Sequence, residues 1–268
     1  MKQDKTAPIG IFDSGIGGLT VARAVARALP KEDIIYFGDT ARVPYGIKSE
    51  EMVREYALQI TQFLLNKGVK MILIACNTVS ASAKEQIIEM AEDIPVLDVI
   101  SAGAQAVLED GPHRNIGVIG TLATIASKAY SRSIHEIDPG SEVIEQACPL
   151  LVPLAEEGWI DHEVTKATLK EYLRPFEKAG LDALILGCTH YPLFKPVLPS
   201  VLKEKDIRII DSADSIAAAA EEKLKELGLL NNSGGSFDCY VSDRPQRFQE
   251  LAERFLGKKL DNIHLTRF

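Results

Sequence analysis

Short apolar runs recur along the chain and read as buried strands: IGIF at 9–12, IIYFG at 34–38, MILIAC at 71–76, VLDVI at 96–100, IGVIG at 116–120, ALILGC at 183–188 and IRIID at 207–211. Continuous apolar runs of this length suit strands covered on both faces, as in parallel sheets. Most of the intervening stretches are long enough for a crossover helix. The clearest, Ser49 to Lys67, opens on Ser-Glu-Glu and stops before Gly68, which are helix start and stop signals. The alternation predicts an α/β fold on open, mostly parallel sheets.

Two of the runs end alike. MILIACNTVSASA (71–83) breaks at Cys76, Asn77 and Thr78, and ALILGCTHYPLF (183–194) at Cys188, Thr189 and His190. Ligands of open α/β sheets bind beyond the carboxyl ends of strands, so the repetition suggests two similar parallel-sheet α/β domains facing each other with the active site between them. A second echo, IFDSG (11–15) and IIDSADS (209–215), suggests that the chain returns to its first unit. The expected division is 1–98 plus 210–268 for a discontinuous first domain and 99–209 for the second. LLNNSGGS (229–236) then makes a turn before a last strand, FDCYVS.

At 268 residues, 46% hydrophobic and 25% charged, the chain falls among ordinary globular proteins of up to two domains. A net charge of −8 argues against a general nucleic-acid surface, which needs an excess of lysine and arginine. The start, MKQDKTAPIGIF, has no signal-peptide core, and no later run is long enough to span a bilayer, so a cytoplasmic protein without membrane contact is expected. The four cysteines, Cys76, Cys148, Cys188 and Cys239, contain no CxxC pair and read as free thiols.

The glycines of DSGIGGLT (13–20) suit a tight strand-to-helix turn that exposes N–H groups, but GxGxxG spacing and a phosphate-loop lysine are missing. Asp13 at its mouth either attracts an ammonium group or caps a helix. DTARVPYGIKS (39–49) is a loop in which Tyr45 shapes a pocket or covers the core. Cys188 and His190 suit a metal site or a Cys-His nucleophile pair, although tight zinc spacing is missing. Neither use involves Cys76. Inversion of a stereocentre by proton transfer involves both, because it needs an acid and a base on opposite faces of one carbon. One sulfur must then start as thiolate and the other as thiol. Helix N-termini after both cysteine motifs, with Asp13 near one thiol and His190 near the other, are the expected means of tuning.

GIFDSGIGGL, YFGDTARVPYG, ILIACNT, VIGTLAT, LVPLAEEGW and LILGCTHYPL, spanning Ile9 to Leu193, together resemble the bacterial glutamate racemases of the aspartate/glutamate racemase superfamily. The resemblance implies Cys76 and Cys188 as catalytic acid/bases assisted by Asp13 and His190. Glu156 takes either a supporting role or a solvated helix face. Substrate contacts are implied at Asp13, Ser14, Pro44, Tyr45, Gly46, Asn77, Thr78, Thr121, Thr189 and His190. It further implies no cofactor, no pyridoxal phosphate and no metal, L- or D-glutamate as substrate, a homodimer, and D-glutamate supply for peptidoglycan. Some relatives act on DNA gyrase, a partner for which this sequence carries no feature. An aspartate racemase and a non-catalytic amino-acid-binding module are the competing readings. Cys148 and Cys239 match no motif and are expected in the core.

Overall fold

The computed structural model describes residues 4–109, 111, 115–202, 206–260 and 263–268. Among the described residues there are ten strands: β1 (Ile9–Asp13), β2 (Ile34–Gly38), β3 (Met71–Ile74), β4 (Val96–Asp98), β5 (Asn115–Gly120), β6 (Glu142–Ala147), β7 (Ala183–Gly187), β8 (Arg208–Asp211), β9 (Phe237–Val241) and β10 (Ile263–Leu265). Eleven α-helices of the described residues lie between them: α1 (Leu19–Ala28), α2 (Glu50–Asn66), α3 (Asn77–Ala91), α4 (Val99–Leu108), α5 (Leu122–Ala126), α6 (Ala129–Ile137), α7 (Leu151–Glu156), α8 (Glu163–Leu173), α9 (Leu198–Val201), α10 (Ser212–Leu227) and α11 (Pro245–Leu256).

The strands form two sheets, ordered β10-β9-β2-β1-β3-β4 and β6-β5-β7-β8, and every pairing is parallel. The run β2-β1-β3-β4 of the first sheet has the order of β6-β5-β7-β8 in the second. Strand order reverses at β1 in one and at β5 in the other, the crevice where α/β sheets bind ligands. β1, β2, β3 and β7 are buried throughout, as their unbroken apolar runs require. Helices α1, α10 and α11 cover one face of the first sheet, and α2 and α3 the other.

Helix boundaries follow local chemistry. Ser49 caps α2, accepting from Met52 N–H with Glu50 and Glu51 in the first turn, where carboxylates meet the positive end of the helix. Asp98 ends VLDVI as a strand, because its carboxylate accepts from the N–H groups of Ile100 and Ser101 and starts α4. Asp211 likewise caps α10. The echo of IIDSADS therefore belongs with β4 and Asp98, not with β1 and Asp13 as the sequence suggested. β8 pairs with β7, so the boundary expected at 209 falls inside a strand of the second sheet. β6 and β10 were not anticipated. Among the described residues no helix is long and apolar enough to cross a membrane.

Candidate active site

The carboxyl ends of β1 and β3 face those of β5 and β7. Cys76 is the N-cap residue of α3, two residues beyond β3, and Cys188 directly follows β7. Both are buried, and both line one cavity of about 60 Å3. Larger clefts of about 320 and 380 Å3 run along α4 and α10 and beside α3 and α6, but neither contains a thiol.

The glycine turn after β1 brings the two halves into close contact. A Cβ at Gly17 would lie 2.3 Å from Thr189 Oγ1 and 2.5 Å from His190 Nδ1, and Thr20 Oγ1 donates to the Thr189 carbonyl at 3.0 Å. Thr78 and Thr121, one from each half, are hydroxyl to hydroxyl at 3.2 Å. Tyr130 OH donates to Asn77 Oδ1 at 2.7 Å, while Asn77 Nδ2 is buried without a partner. Asn77, Thr78, Thr121 and Thr189 all line the cavity, with Ser14, Pro44 and Gly46. Its polar lining is thus hydroxyls, amides and the Glu156–His190 pair, with no lysine or arginine.

Tyr45 also lines the cavity, but its hydroxyl donates to Asp39 Oδ2. Asp39 is fully buried and also accepts from Arg42 Nε at 2.6 Å and Ser242 Oγ at 2.6 Å. Tyr45 therefore offers the site its ring and backbone, not its hydroxyl. Asp13 is not part of the cavity wall, although it was expected to touch substrate. Its Oδ2 folds back onto the N–H groups of Gly15 (3.1 Å) and Gly18 (3.0 Å), while Oδ1 is buried with no partner. Asp13 is not the helix cap either, since the N-cap of α1 is Gly18. Val152 lines the cavity as well, and only tertiary packing singles it out from other valines.

The surroundings of the two thiols differ. Cys76 heads a full helix, whereas Cys188 is followed only by a 3-10 turn, Tyr191–Phe194, because Pro196, where a helix would have to continue, has no N–H to give to the Pro192 carbonyl and its ring clashes with it. The helix expected after the second motif is therefore absent, and His190 stands in its place. His190 Nδ1 is 3.9 Å from Cys188 Sγ, and Nε2 is 3.1 Å from Glu156 Oε1. Burial by itself pushes the imidazole pKa down, but hydrogen bonding and negative charge from Cys188 and Glu156 carry it up to about 10. His190 in turn holds Glu156 below the usual carboxylate range. Burial, with the charge of Asp13, pushes Cys76 up to about 12, despite hydrogen bonds from Val79 and Ser14. Burial also raises Asp13, against the opposing influence of His190. Cys76 is thus held toward its protonated form, while Cys188 has beside it a histidine held toward its protonated, hydrogen-bond-donating form. Among the described residues no group of three or more His, Cys, Asp or Glu side chains could hold a metal ion.

The Asp/Glu/Hydantoin racemase family model matches residues 9–220. Glutamate racemase from Syntrophus aciditrophicus is 51% identical over 258 residues, covering 96% of this chain and 95% of its own. The solved glutamate racemase from Francisella tularensis in complex with D-glutamate is 42% identical, with a TM-score of 0.91 and 98% of each chain covered. A glutamate racemase isoform from Bacillus anthracis is 36% identical, with a TM-score of 0.94 and the same coverage.

The chain belongs to the glutamate racemase family. An aspartate racemase from Picrophilus torridus, 18% identical with a TM-score of 0.57, shares the racemase fold alone. In this racemase-family site the raised His190 makes a prediction about stability. A histidine protonated more readily in the folded state contributes stability that is complete below its ordinary value near 6.5 and is lost as pH rises through about 10. The melting temperature of the wild type relative to His190→Gln should therefore decline across that window. A difference that stays constant with pH would contradict a charged His190.

Proposed function

We propose that this protein is a cofactor-independent glutamate racemase whose two cysteines act as acid and base on opposite faces of the α-carbon. One observation carries the reading: Cys76 and Cys188 follow equivalent strands of two facing sheets and line one cavity. A thiolate at Cys188 removes the α-proton and leaves a carbanion, and the Cys76 thiol protonates the other face. The reverse direction exchanges the roles, and each sulfur recovers its starting protonation state through solvent. His190, held by Glu156, supports charge on Cys188. Asp13, with its raised pKa and one free oxygen, is placed to hold a proton for Cys76. Asn77, Thr78, Thr121, Thr189 and Ser14 bind and orient the substrate carboxylates by hydrogen bonds, with Gly46 and the Pro44–Tyr45 wall fixing its position.

The role that follows is supply of D-glutamate for peptidoglycan. A division into two units belongs to this proposal, with the second boundary moved past β8: 1–98 plus 212–268 for the first and 99–211 for the second, β8 being the strand through which the chain leaves it. Cytoplasmic location and a homodimer complete the proposal. Polarimetry of the dialysed protein with L-glutamate, D-glutamate and both aspartates tests the reading. Rotation should decay with glutamate far faster than with aspartate, and should survive chelators and hydroxylamine. Activity restored only by zinc or pyridoxal phosphate, or preference for aspartate, would overturn it.

A further inference from the structure

Glu156 is held by a residue far from it in the sequence. Helix α7 closes on Gly158, which has a φ of +79°. The Trp159 N–H donates to the Leu154 carbonyl at 2.9 Å, and the Gly158 N–H to the Ala155 carbonyl at 3.1 Å, the usual closure of a helix on glycine. This closure does not serve the carbonyl of Glu156, one of the acceptors that a helix end leaves without an internal donor. Arg254 of α11 serves it: Nη1 donates to the Glu156 carbonyl at 2.5 Å and to that of Ala155 at 3.3 Å. Gly158 leaves room for this, since a Cβ there would lie 2.7 Å from Arg254 Nη2 and 2.8 Å from Cζ. The next residue, Phe255, is fully buried, and its ring meets His190 edge-on with centroids 5.3 Å apart. Consecutive residues of α11 thus hold both members of the Glu156–His190 pair. Helix α11 lies beyond residue 220, where the family match ends, and neither residue lines the cavity.

We propose that Arg254 is a positioning residue, whose guanidinium fixes the end of α7 so that the Glu156 carboxylate stays on His190 Nε2 and His190 Nδ1 stays on Cys188. The proposal rests on the racemase reading above. The charged and titratable groups acting on His190 are Cys188 on its own segment, Glu156 from α7 and Asp13 from β1. Arg247, also on α11, acts electrostatically on Glu156. When Arg254 is lost, the Glu156 carboxylate is less well held and the imidazolium gives up its proton more easily.

The test uses the full chain with Arg254→Ala and Arg254→Lys, reading kcat, KM, the pH profile and the NMR titration of the His190 ring. For Arg254→Ala, kcat should fall roughly tenfold with KM within about twofold, because general acid–base catalysis is weakened while substrate contacts remain. The basic limb of the profile and the His190 titration should both move about one unit to lower pH. Arg254→Lys keeps the cation without the fork and should recover part of the loss. A folded Arg254→Ala protein with wild-type kcat and an unmoved titration overturns the proposal, as does a lower melting temperature with no other change. Should that variant not fold, Arg254→Gln is read by the same criteria. The titration needs no turnover, so failure of the wild type to racemise glutamate defeats the functional reading while the titration still decides the role of Arg254.

Discussion

Cys76→Ser and Cys188→Ser are each expected to abolish racemisation in both directions, lowering turnover by about 10³-fold or more, within the range that a positioned acid or base contributes. A hydroxyl is a far weaker acid than a thiol and cannot readily supply the anionic base. The loss at Cys76 should be chemical and not structural. Cys76 occupies the N-cap of α3, and serine is among the favoured residues there, so the helix should hold. Cys148→Ala and Cys239→Ala serve as controls. Both residues are fully buried and should lose some stability while keeping turnover, as small core hydrophobes do. In deuterated water the wild-type product should carry label while recovered substrate stays largely unlabelled. Early label in unreacted substrate, or near-normal turnover by either folded serine variant, would count against two opposed thiols.

Gly17→Ala should cost about 100-fold in kcat, the scale set by a misplacement of around 1 Å in a catalytic group. The added methyl would sit 2.3 Å from Thr189 Oγ1, 2.5 Å from His190 Nδ1 and 2.6 Å from its Cε1, so something must move. Thr189 is tied through its carbonyl to Thr20. His190 is enclosed by Glu156 and the ring of Phe255. Relief therefore comes from parting the glycine turn and the Cys188 segment, which spoils the geometry of both thiols together. Circular dichroism and melting should show a folded protein. A folded Gly17→Ala variant with wild-type kcat would mean that this close approach is not what sets the site.

The strands that position the chemistry were legible because they are buried on both faces, and such strands advertise themselves as unbroken apolar runs. Cys76 and Cys188 were legible because each interrupts such a run in the same way. Asp98 was misread as mid-strand because its capping carboxylate sits inside apolar sequence, and only its bonds to Ile100 and Ser101 reveal the turn into α4. β6, with Glu142, Glu145 and Gln146, lacks an apolar run, and β10 is three residues long. Whether Tyr45 shapes a pocket or covers the core was open in the sequence, because only the fold shows that it lines the cavity while its hydroxyl turns away to Asp39. Arg254 had no local signal at all: it is an exposed arginine on an amphipathic helix, 98 residues from Glu156.

The placement of β9 against β2 sets an order in time. β2 leaves the ribosome long before β9, and their neighbourhood is joined by Ser242 and Asp39, 203 residues apart. Until β9 arrives, the apolar strand Ile34–Gly38 presents an open row of backbone donors and acceptors, the kind of edge that recruits strands from other chains. Its counterpart in the second sheet, β6, stays an edge permanently and carries glutamates, which discourage such pairing. The nascent protein therefore has a vulnerable interval that the finished one lacks, and it closes only when the C-terminal segment has been made. The outermost described strand, β10, then leaves a margin of three residues, too short to be much of a template.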